Sequence, residues 1–475
     1  MNQTQTVSIL PEDFNKSVFA LYLIFFAVLS VCGLSYLAWK GQFIYLLVIL
    51  FLPALVLIVV RPKLALFQYT FFLFVSQVVI ESIPLTITDI AGIIIIASAA
   101  LDFLLNQSKS GSVPKLSYNF IFLIITLFIC AVFAYDTSLA FRAMTRVILL
   151  FAVFLSLVRL IKSTGIEYSL KLFFWLCVIH SIAVIVPFVL SGGGIRSFGL
   201  AVKFFDDLSM LTFPMGMALY LWSEKGKGLK YLLGSIIVFG ALISTQSRAA
   251  FIFCLILTAI VFLFSYLRAR KLEGSRISLN SSLGLLVIKR QILAVSTGVG
   301  AVSLLLLLFP EMFETIMFRF TNLYSKLKIG TVLTRFELWQ NAFNAFLENP
   351  VVGIGPGNYK VLNLINPTIR LEFIHFYIRG LNAHNLLLHY MAETGVVGTT
   401  AMLALIFNQL RGGRQGWKDS FGLKSSQISG ALYITSIMFV VTTIIEAAWF
   451  WGFAGYTFVF FLALIVSNQR AVAKT

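Results

Sequence analysis

The chain has 475 residues, of which 59% are hydrophobic and only 12% are charged. This composition excludes a water-soluble globular protein, because a soluble surface needs many more charged residues. The four cysteines lie singly in apolar segments without a CxxC pair, which indicates packing residues rather than metal ligands. No nucleic-acid-binding motif accompanies the net charge of +17, so we expect no nucleic-acid partner and assign the charge first to membrane-flanking loops.

Apolar segments of about 18–22 residues recur along the chain and predict helices that cross a membrane about 30 Å thick. The predicted fold class is all-α, a polytopic integral membrane protein with about 14 transmembrane helices (12–14). The alternative of 12 arises because the segments flanking Arg61-Pro62-Lys63 and the short segment 208–222 give the weakest signal. The predicted spans are residues 18–38, 42–60, 64–80, 85–105, 116–134, 143–160, 171–190, 208–222, 229–244, 249–267, 291–309, 384–407, 428–446 and 453–467.

Lys and Arg residues are concentrated in alternate short loops, which predicts that these loops face the cytoplasm. The same alternation places both termini in the cytoplasm and one long loop in the periplasm or cell exterior. We therefore divide the chain into an N-terminal transmembrane bundle of residues 1–309, a long periplasmic loop of residues 310–383 and C-terminal transmembrane helices of residues 384–475.

An amphipathic helix is predicted within the long loop. Thr334 and Glu337 have the spacing of a capping box, which predicts a helix start at Thr334, and Asn349-Pro350 ends the helix. Arg335 then lies in the first turn, where its charge opposes the helix dipole, so either an anion binds there or the side chain points to solvent. The predicted apolar stripe should lie on the membrane surface or on the bundle, and it comprises Phe336, Trp339, Phe343, Phe346 and Leu347.

Two further arginines lie near the predicted outer interface. Arg248 follows Ser244-Thr-Gln-Ser247 with almost no loop between two apolar segments. A charge at this depth is costly unless it has a partner, so either it reaches the lipid headgroups or the neighbouring hydroxyl and amide groups form a polar pocket with it. Arg196 follows a glycine-rich stretch in another outer loop and is a third basic candidate, although such stretches are often only flexible.

His384 opens the span that follows the long loop. A neutral imidazole can accept a proton from a hydroxyl group near pH 7, although a histidine at a helix start is often only a polar end residue. We expect His389, His375 and His180 to be structural. The outer segments contain no Ser-His-Asp set and no acidic cluster, so we expect no metal site and no cofactor.

Several motifs occur in a characteristic order between about residues 190 and 400. They are Thr245-Gln-Ser-Arg248, Thr334-Arg-Phe-Glu-Leu-Trp339, Asn349-Pro-Val-Val-Gly-Ile-Gly-Pro-Gly357, and His384-Asn385 followed by Glu393-Thr-Gly-Val-Val-Gly398. Together with the long outer loop, they resemble the O-antigen ligase and Wzy-type O-antigen polymerase family of membrane glycosyltransferases. The combination and its order are specific, whereas each motif alone is weak.

This resemblance implies an enzyme of lipopolysaccharide biosynthesis in the bacterial inner membrane. It would transfer an undecaprenyl-diphosphate-linked glycan to an acceptor sugar hydroxyl at the periplasmic face, by a metal-independent and inverting reaction without a cofactor. His384 would be the general base, Arg248 and Arg335 would bind the donor diphosphate, and Arg196 and Asn385 would be further donor contacts. Two fixed guanidinium groups suit a departing diphosphate, so the residues agree with the resemblance.

The acceptor distinguishes two enzymes of this family. A ligase would transfer the glycan to lipid A core, whereas a Wzy-type polymerase would transfer it to a second lipid-linked repeat unit, and we favour the ligase. A flippase for lipid-linked oligosaccharides is an alternative of another class that could bind the same diphosphate. A transporter needs a site near the bilayer centre, and few charges are predicted there, namely Asp89, Asp102, Arg146 and Glu446.

Overall fold

The computed structural model describes residues 57–75, 86–106, 114–192, 197, 205–224, 226–272, 282–308, 326–365, 381–420, 425–442 and 453–472. These residues form helices and contain no β-strand, so the all-α prediction is confirmed. In chain order the helices are α1 Pro62–Phe72, α2 Ile87–Asn106, α3 Lys115–Val132, α4 Thr137–Thr164, α5 Ile166–Leu190, α6 Phe205–Leu221, α7 Leu229–Thr245, α8 Arg248–Leu272, α9 Ser282–Leu308, α10 Lys326–Glu348, α11 Tyr359–Ile365, α12 Leu386–Asp419, α13 Ser426–Thr442 and α14 Phe453–Val472.

Six of the helices in the described part of the chain are long and apolar enough to cross a membrane, namely α2, α4, α5, α8, α12 and α14. Three shorter helices, α3, α7 and α13, are also apolar. The chain is therefore a multi-pass membrane protein, as predicted. The total of about 14 spans stays a prediction, because the expected span 18–38 and most of the span 42–60 lie outside the described residues.

Helix α14 lies at the centre of the bundle. Its side chains are buried on all sides from Ala454 to Val466, which is the pattern of a helix surrounded by other helices. Phe173 of α5 packs on two of its rings, with centroid distances of 5.7 Å to Phe460 and 4.8 Å to Phe461. Such aromatic contacts add packing energy to the burial of apolar area.

Two ion pairs join α2 to α4. Arg146 lies 3.5 Å from Asp89, and Arg159 lies 2.7 Å from Asp102. Asp89 also accepts a hydrogen bond from the Tyr456 hydroxyl group of α14. The residue numbers rise together along both helices, so α2 and α4 run in the same direction. Three of the four charges expected near the bilayer centre are therefore paired, and Glu446 lies outside the described residues.

Several helix ends meet around Trp222, directly after α6. Trp417 of α12 stacks on this ring at 5.9 Å, and Arg268 of α8 lies over it at 5.5 Å. Arg290 of α9 donates a hydrogen bond of 2.9 Å to the Leu221 carbonyl group at the end of α6. We call this the basic end of the bundle. The later parts of α8 and α12 both reach it, so the first residues of these two helices lie towards the opposite end.

Helix α10 differs from its prediction at its start. It begins at Lys326, about two turns before Thr334, so the predicted capping box lies inside the helix and its assignment as the start was wrong. A threonine is compatible with a helix interior, where its hydroxyl group can bond to the preceding turn. Arg335 is consequently not in the first turn, and the argument from the helix dipole does not apply to it. The end at Glu348 agrees with the predicted stop.

The apolar stripe predicted on α10 does not face the bundle. Phe336, Phe343 and Leu347 are exposed, whereas the buried side chains on the helix include Leu338 and Ala342. The alternative in which the stripe packs on the transmembrane helices is therefore wrong. The small residues of the opposite face allow α10 to pack closely on the segment that leads into α12.

Candidate functional site

A glycine-rich turn, residues 349–358, is inserted at a break in α12. Gly395 has φ 56° and ψ −157°, which are not helical values, so the helix is kinked there. A kink leaves backbone groups of the helix without their usual hydrogen-bond partners. Backbone groups of the turn take the place of these partners. The backbone hydrogen bonds between the turn and α12 measure 2.8–3.2 Å and run from Ile354 to Ala392, Gly355 to Glu393, Val396 to Pro350 and Val397 to Val351.

Only glycine fits at the closest approach of the turn to the helix. Gly353 has φ +69°, and a Cβ atom there would lie 2.4 Å from the carbonyl carbon of Glu393 and from the amide nitrogen of Thr394. Contacts under 3.0 Å do not occur for real Cβ atoms. Gly353 therefore serves backbone packing against α12, whereas Gly355 and Gly357 lie against the α3–α4 connection and the start of α4.

The turn also binds the connection between α3 and α4. Asn358 Oδ1 accepts a hydrogen bond of 2.9 Å from the Asp136 backbone N–H, and Asn358 Nδ2 donates one of 3.1 Å to the Asp136 carbonyl group. Tyr135 N–H donates to the Ile354 carbonyl group at 3.1 Å. The turn is thus held from two sides, by α12 and by the start of α4. We call this side of the bundle the turn end.

Arg335 lies on the face of α10 that contacts the entrance to α12. Leu338, one turn later on the same face, is fully buried and packs with Leu381. Ala342, one further turn along, belongs to a buried cluster that contains Ala383. Arg335 is half-buried, and no carboxylate pairs with it among the described residues. Its place on this face puts Arg335 near the entrance to α12.

His384 has an uncommon backbone conformation at this entrance. Its φ of +48° lies in the left-handed region, which non-glycine residues rarely adopt and which is frequent at functional sites. The next residue, Asn385, is the N-cap of α12, and its Oδ1 accepts a hydrogen bond of 3.0 Å from Leu388 N–H. The left-handed turn followed by a cap fixes the half-buried imidazole at the head of α12.

The second non-glycine residue with positive φ in the described chain is Gln246, with φ +54°. It caps the end of α7, two residues before Arg248 begins α8. Ser197, the residue after Arg196, donates a backbone hydrogen bond of 3.2 Å to Ser244. The α7–α8 junction thus contacts the outer segment that carries Arg196, whereas Arg196 itself and the side chain of Arg248 lie outside the described residues.

The predicted site residues therefore form two groups. Arg335 and His384 share the contact between α10 and α12, and the start of α8 lies with Ser197. The directions of α8 and α12, which both run towards Trp222, place Arg248 and His384 towards the same end of the bundle. Convergence of their side chains on one cavity stays a prediction.

A buried acid and histidine lie below His384, of which the histidine was expected to be structural and the acid had no predicted role. His389 is 2% exposed and Glu393 is 1% exposed, and His389 Nε2 lies 3.4 Å from Glu393 Oε1. This oxygen also accepts a hydrogen bond of 3.2 Å from Tyr359 N–H, and the Tyr359 ring contacts the His389 ring edge-to-face at 5.3 Å. The four-residue spacing of His389 and Glu393 could have suggested the pair, but it does not reveal burial.

The α10–α12 contact and the start of α8 fall within one matched interval, whereas Arg196 and Ser197 precede it. Residues 233–403 match the O-antigen ligase family (Wzy_C). The match confirms the predicted resemblance, and the O-antigen ligase interval includes Arg248, Arg335 and His384. It extends from the beginning of α7 to the middle of α12 and therefore contains the glycine-rich turn and the kink. No curated protein matches the chain.

Three described side chains of the O-antigen ligase interval offer a base, a cation and a carboxyl group. In the part of the chain that the structure describes, no three His, Cys, Asp or Glu side chains cluster so that they could hold a metal ion. The interval supplies an imidazole at His384, a guanidinium at Arg335 and a buried carboxyl group at Glu393. These groups can accept a proton, bind a phosphate and balance charge, respectively.

Proposed function

We propose that this protein is a membrane glycosyltransferase that transfers an undecaprenyl-diphosphate-linked glycan to an acceptor sugar hydroxyl. The O-antigen ligase match and the apolar helices support a membrane glycosyltransferase. The observation that carries the proposal is the left-handed His384, which is fixed at the head of α12 beside the face of α10 that bears Arg335. This arrangement combines a general base with a phosphate ligand at one helix entrance.

The proposed reaction is a direct displacement with inversion at the anomeric carbon. His384 accepts the proton of the acceptor hydroxyl group as its oxygen forms the new glycosidic bond. The bond between the anomeric carbon and the diphosphate breaks, and the diphosphate leaves with the bonding electron pair. Arg248 and Arg335 stabilise the negative charge that develops on it, so no metal is needed for this role.

Asn385 and Arg196 are proposed as further donor contacts. The carbonyl oxygen of the Asn385 side chain is used as the helix cap, so only its NH₂ group remains to donate to a phosphate oxygen. Ser197 contacts the α7–α8 junction, which supports a position of the neighbouring Arg196 near the donor.

The proposed membrane arrangement places the basic end in the cytoplasm and the turn end in the periplasm. Arg268 and Arg290 at the basic end support this orientation by the positive-inside rule. The chain would then have about 14 spans in the bacterial inner membrane, with cytoplasmic termini. The bundle of residues 1–309, the periplasmic loop of residues 310–383 and the helices of residues 384–475 would be its three parts.

Transfer to lipid A core is the preferred reaction, and polymerisation of lipid-linked repeat units is the alternative. Both use the same donor and leaving group, so they require the same base and cations. A flippase is less well supported, because Asp89 and Asp102 are engaged in ion pairs with α4 rather than free to form a central transport site.

The proposal is tested by a glycan gel of membranes from a deletion strain complemented with wild type, His384→Ala or Arg335→Ala. For a ligase, His384→Ala should leave polymer on the undecaprenyl carrier and lipid A core bare, with at least a hundredfold loss of product. Single repeat units on the core would identify the polymerase. Arg411→Ala, which removes an exposed arginine late in α12, is the matched control for Arg335→Ala and should behave as wild type. Wild-type product with His384→Ala would refute the general-base assignment.

A further inference from the structure

A buried pair, His389 and Glu393, lies below the proposed base in α12. His389 Nε2 must hold a proton to donate to Glu393, and His389 Nδ1 is buried without a hydrogen-bond partner among the described residues. With His389 neutral, an ionised Glu393 would give the pair a net charge of −1. Burial disfavours a carboxylate, but the N–H groups of Gly357 and Tyr359 face it and compensate part of this cost.

Ionisable groups face this pair from the neighbouring elements. Lys360 of α11 interacts electrostatically with both His389 and Glu393, and His384 interacts with His389 from the head of α12. The other facing groups are the hydroxyl-bearing Tyr390, next to Glu393 on α12, Tyr359 from α11 and, from α3, Cys130, which bonds to the Thr394 carbonyl group. Among the described residues, the groups that face Glu393 in this way are thus cationic or neutral.

We infer that Glu393, held in place by His389, is the buried counter-charge for His384 during glycan transfer. This inference rests on the function proposed above. When His384 accepts the acceptor proton, its ring becomes a cation at the N-terminal end of α12. The positive end of the helix dipole disfavours that cation, and Arg335 and Lys360 disfavour it further. Glu393 opposes these effects and therefore acts as a positioning residue rather than as a catalytic one.

The expected change in the transfer rate follows from the distance between His384 and Glu393 along α12. His384 and Glu393 are separated by about 13 Å along the axis, and the Glu393 side chain leans towards the N-terminus, so the charges lie roughly 10–12 Å apart. At an effective dielectric constant of about 20, one unit charge at this distance changes a rate by about tenfold. Removing the charge should therefore slow transfer about tenfold without affecting donor binding.

A purely structural role for Glu393 predicts a different result. Its oxygen accepts the Tyr359 N–H bond that holds the glycine-rich turn, and Glu393→Gln retains this acceptor while it removes the charge. Glu393→Asp retains the charge, but it is too short to reach Tyr359 in the same geometry. If Glu393 is purely structural, Glu393→Gln should transfer faster than Glu393→Asp. If Glu393 is the counter-charge, Glu393→Asp should transfer faster than Glu393→Gln.

The test compares transfer by the two purified variants with that by wild type. Each is added to membranes of the deletion strain, which contain the accumulated lipid-linked donor, and initial rates are expressed per folded protein measured by size-exclusion chromatography. Binding of undecaprenyl diphosphate is measured separately by native mass spectrometry. We expect Glu393→Gln to be about tenfold slower than wild type and slower than Glu393→Asp, with unchanged binding. Asp419→Asn removes a carboxylate at the other end of α12 and is the matched control.

The outcomes separate this inference from the proposed function. If Glu393→Gln is as fast as Glu393→Asp or faster while His384→Ala is inactive, Glu393 is not the counter-charge and the transferase proposal stands. If His384→Ala transfers at the wild-type rate, the base assignment itself is wrong, whatever the order of the two Glu393 variants. Slower transfer by Glu393→Gln together with an inactive His384→Ala supports both.

Discussion

Replacement of Gly353 by alanine tests whether the glycine-rich turn must lie directly against α12. The alanine Cβ atom would be 2.4 Å from two backbone atoms of α12, at Glu393 and Thr394, and neither can move without shifting the kink. The residue would also have to keep φ +69°, which is unfavourable for alanine. We therefore expect the turn to separate from the helix.

The magnitude has three parts. The left-handed conformation costs alanine about 1–2 kcal/mol relative to glycine. Overpacking against the fixed backbone adds about 1–3 kcal/mol, and weakened hydrogen bonds between the turn and α12 add about 1 kcal/mol. The total of about 3–6 kcal/mol should lower the apparent Tm by about 3–6 °C in a chain of this size, and transfer activity should fall with it because the turn lies beside the head of α12.

Gly226→Ala is the matched control. Gly226 also has positive φ, +83°, but a Cβ atom there meets nothing within 4 Å. This variant should lose only the conformational part, about 1–2 kcal/mol. Thermal unfolding of the purified proteins in one detergent, followed by tryptophan fluorescence at one scan rate, compares them. Equal Tm losses for Gly353→Ala and Gly226→Ala would refute the close approach of the turn.

Two further predictions concern the cap and the ion pairs. Asn385→Ala should destabilise the protein by about 1 kcal/mol in the same unfolding assay, because Leu388 N–H loses its acceptor. Asn385→Asp keeps an acceptor and should retain stability. Equal losses of stability in the two variants would argue against a capping role. Asp102→Asn should cost about 1–3 kcal/mol because it leaves the partly exposed Arg159 without its counter-charge, and the double variant with Arg159→Gln should recover part of that loss. A double variant as unstable as the sum of both single variants would contradict pairing.

The features that the sequence predicted are those with strong local signals. Long apolar segments identify membrane helices by length alone, so the all-α class and several spans could be predicted. Asn349-Pro350 identifies the end of α10, because proline restricts the preceding residue and lacks the N–H that a helix needs. The order of motifs was sufficient to predict the family that residues 233–403 match.

The features that the sequence did not predict depend on tertiary packing. Thr334 and Glu337 have the spacing of a cap, but whether a threonine caps a helix is decided by its backbone conformation. The apolar stripe on α10 was identified from hydrophobicity alone. In the structure the other face of α10 makes the contact, because its small residues let the helix approach the bundle closely. His389 was expected to be only structural. Glu393 becomes its buried partner because the glycine-rich turn covers α12, and this tertiary contact is not visible in the sequence.

The pairing of α2 with α4 has a consequence for how the chain enters the membrane. The interval from Asp89 to Asp102 in α2 equals the interval from Arg146 to Arg159 in α4, so both ion pairs form at a single register of two parallel helices. A charge costs about 3 kcal/mol at the centre of an inserting helix. Arg146 lies nearer the centre of α4, whereas Asp89 and Asp102 lie near the two ends of α2, where the cost is smaller. Helix α2 is synthesised first and must wait for α4 before its carboxylates are neutralised. We therefore expect insertion of α2 and α4 into the bilayer to be coupled.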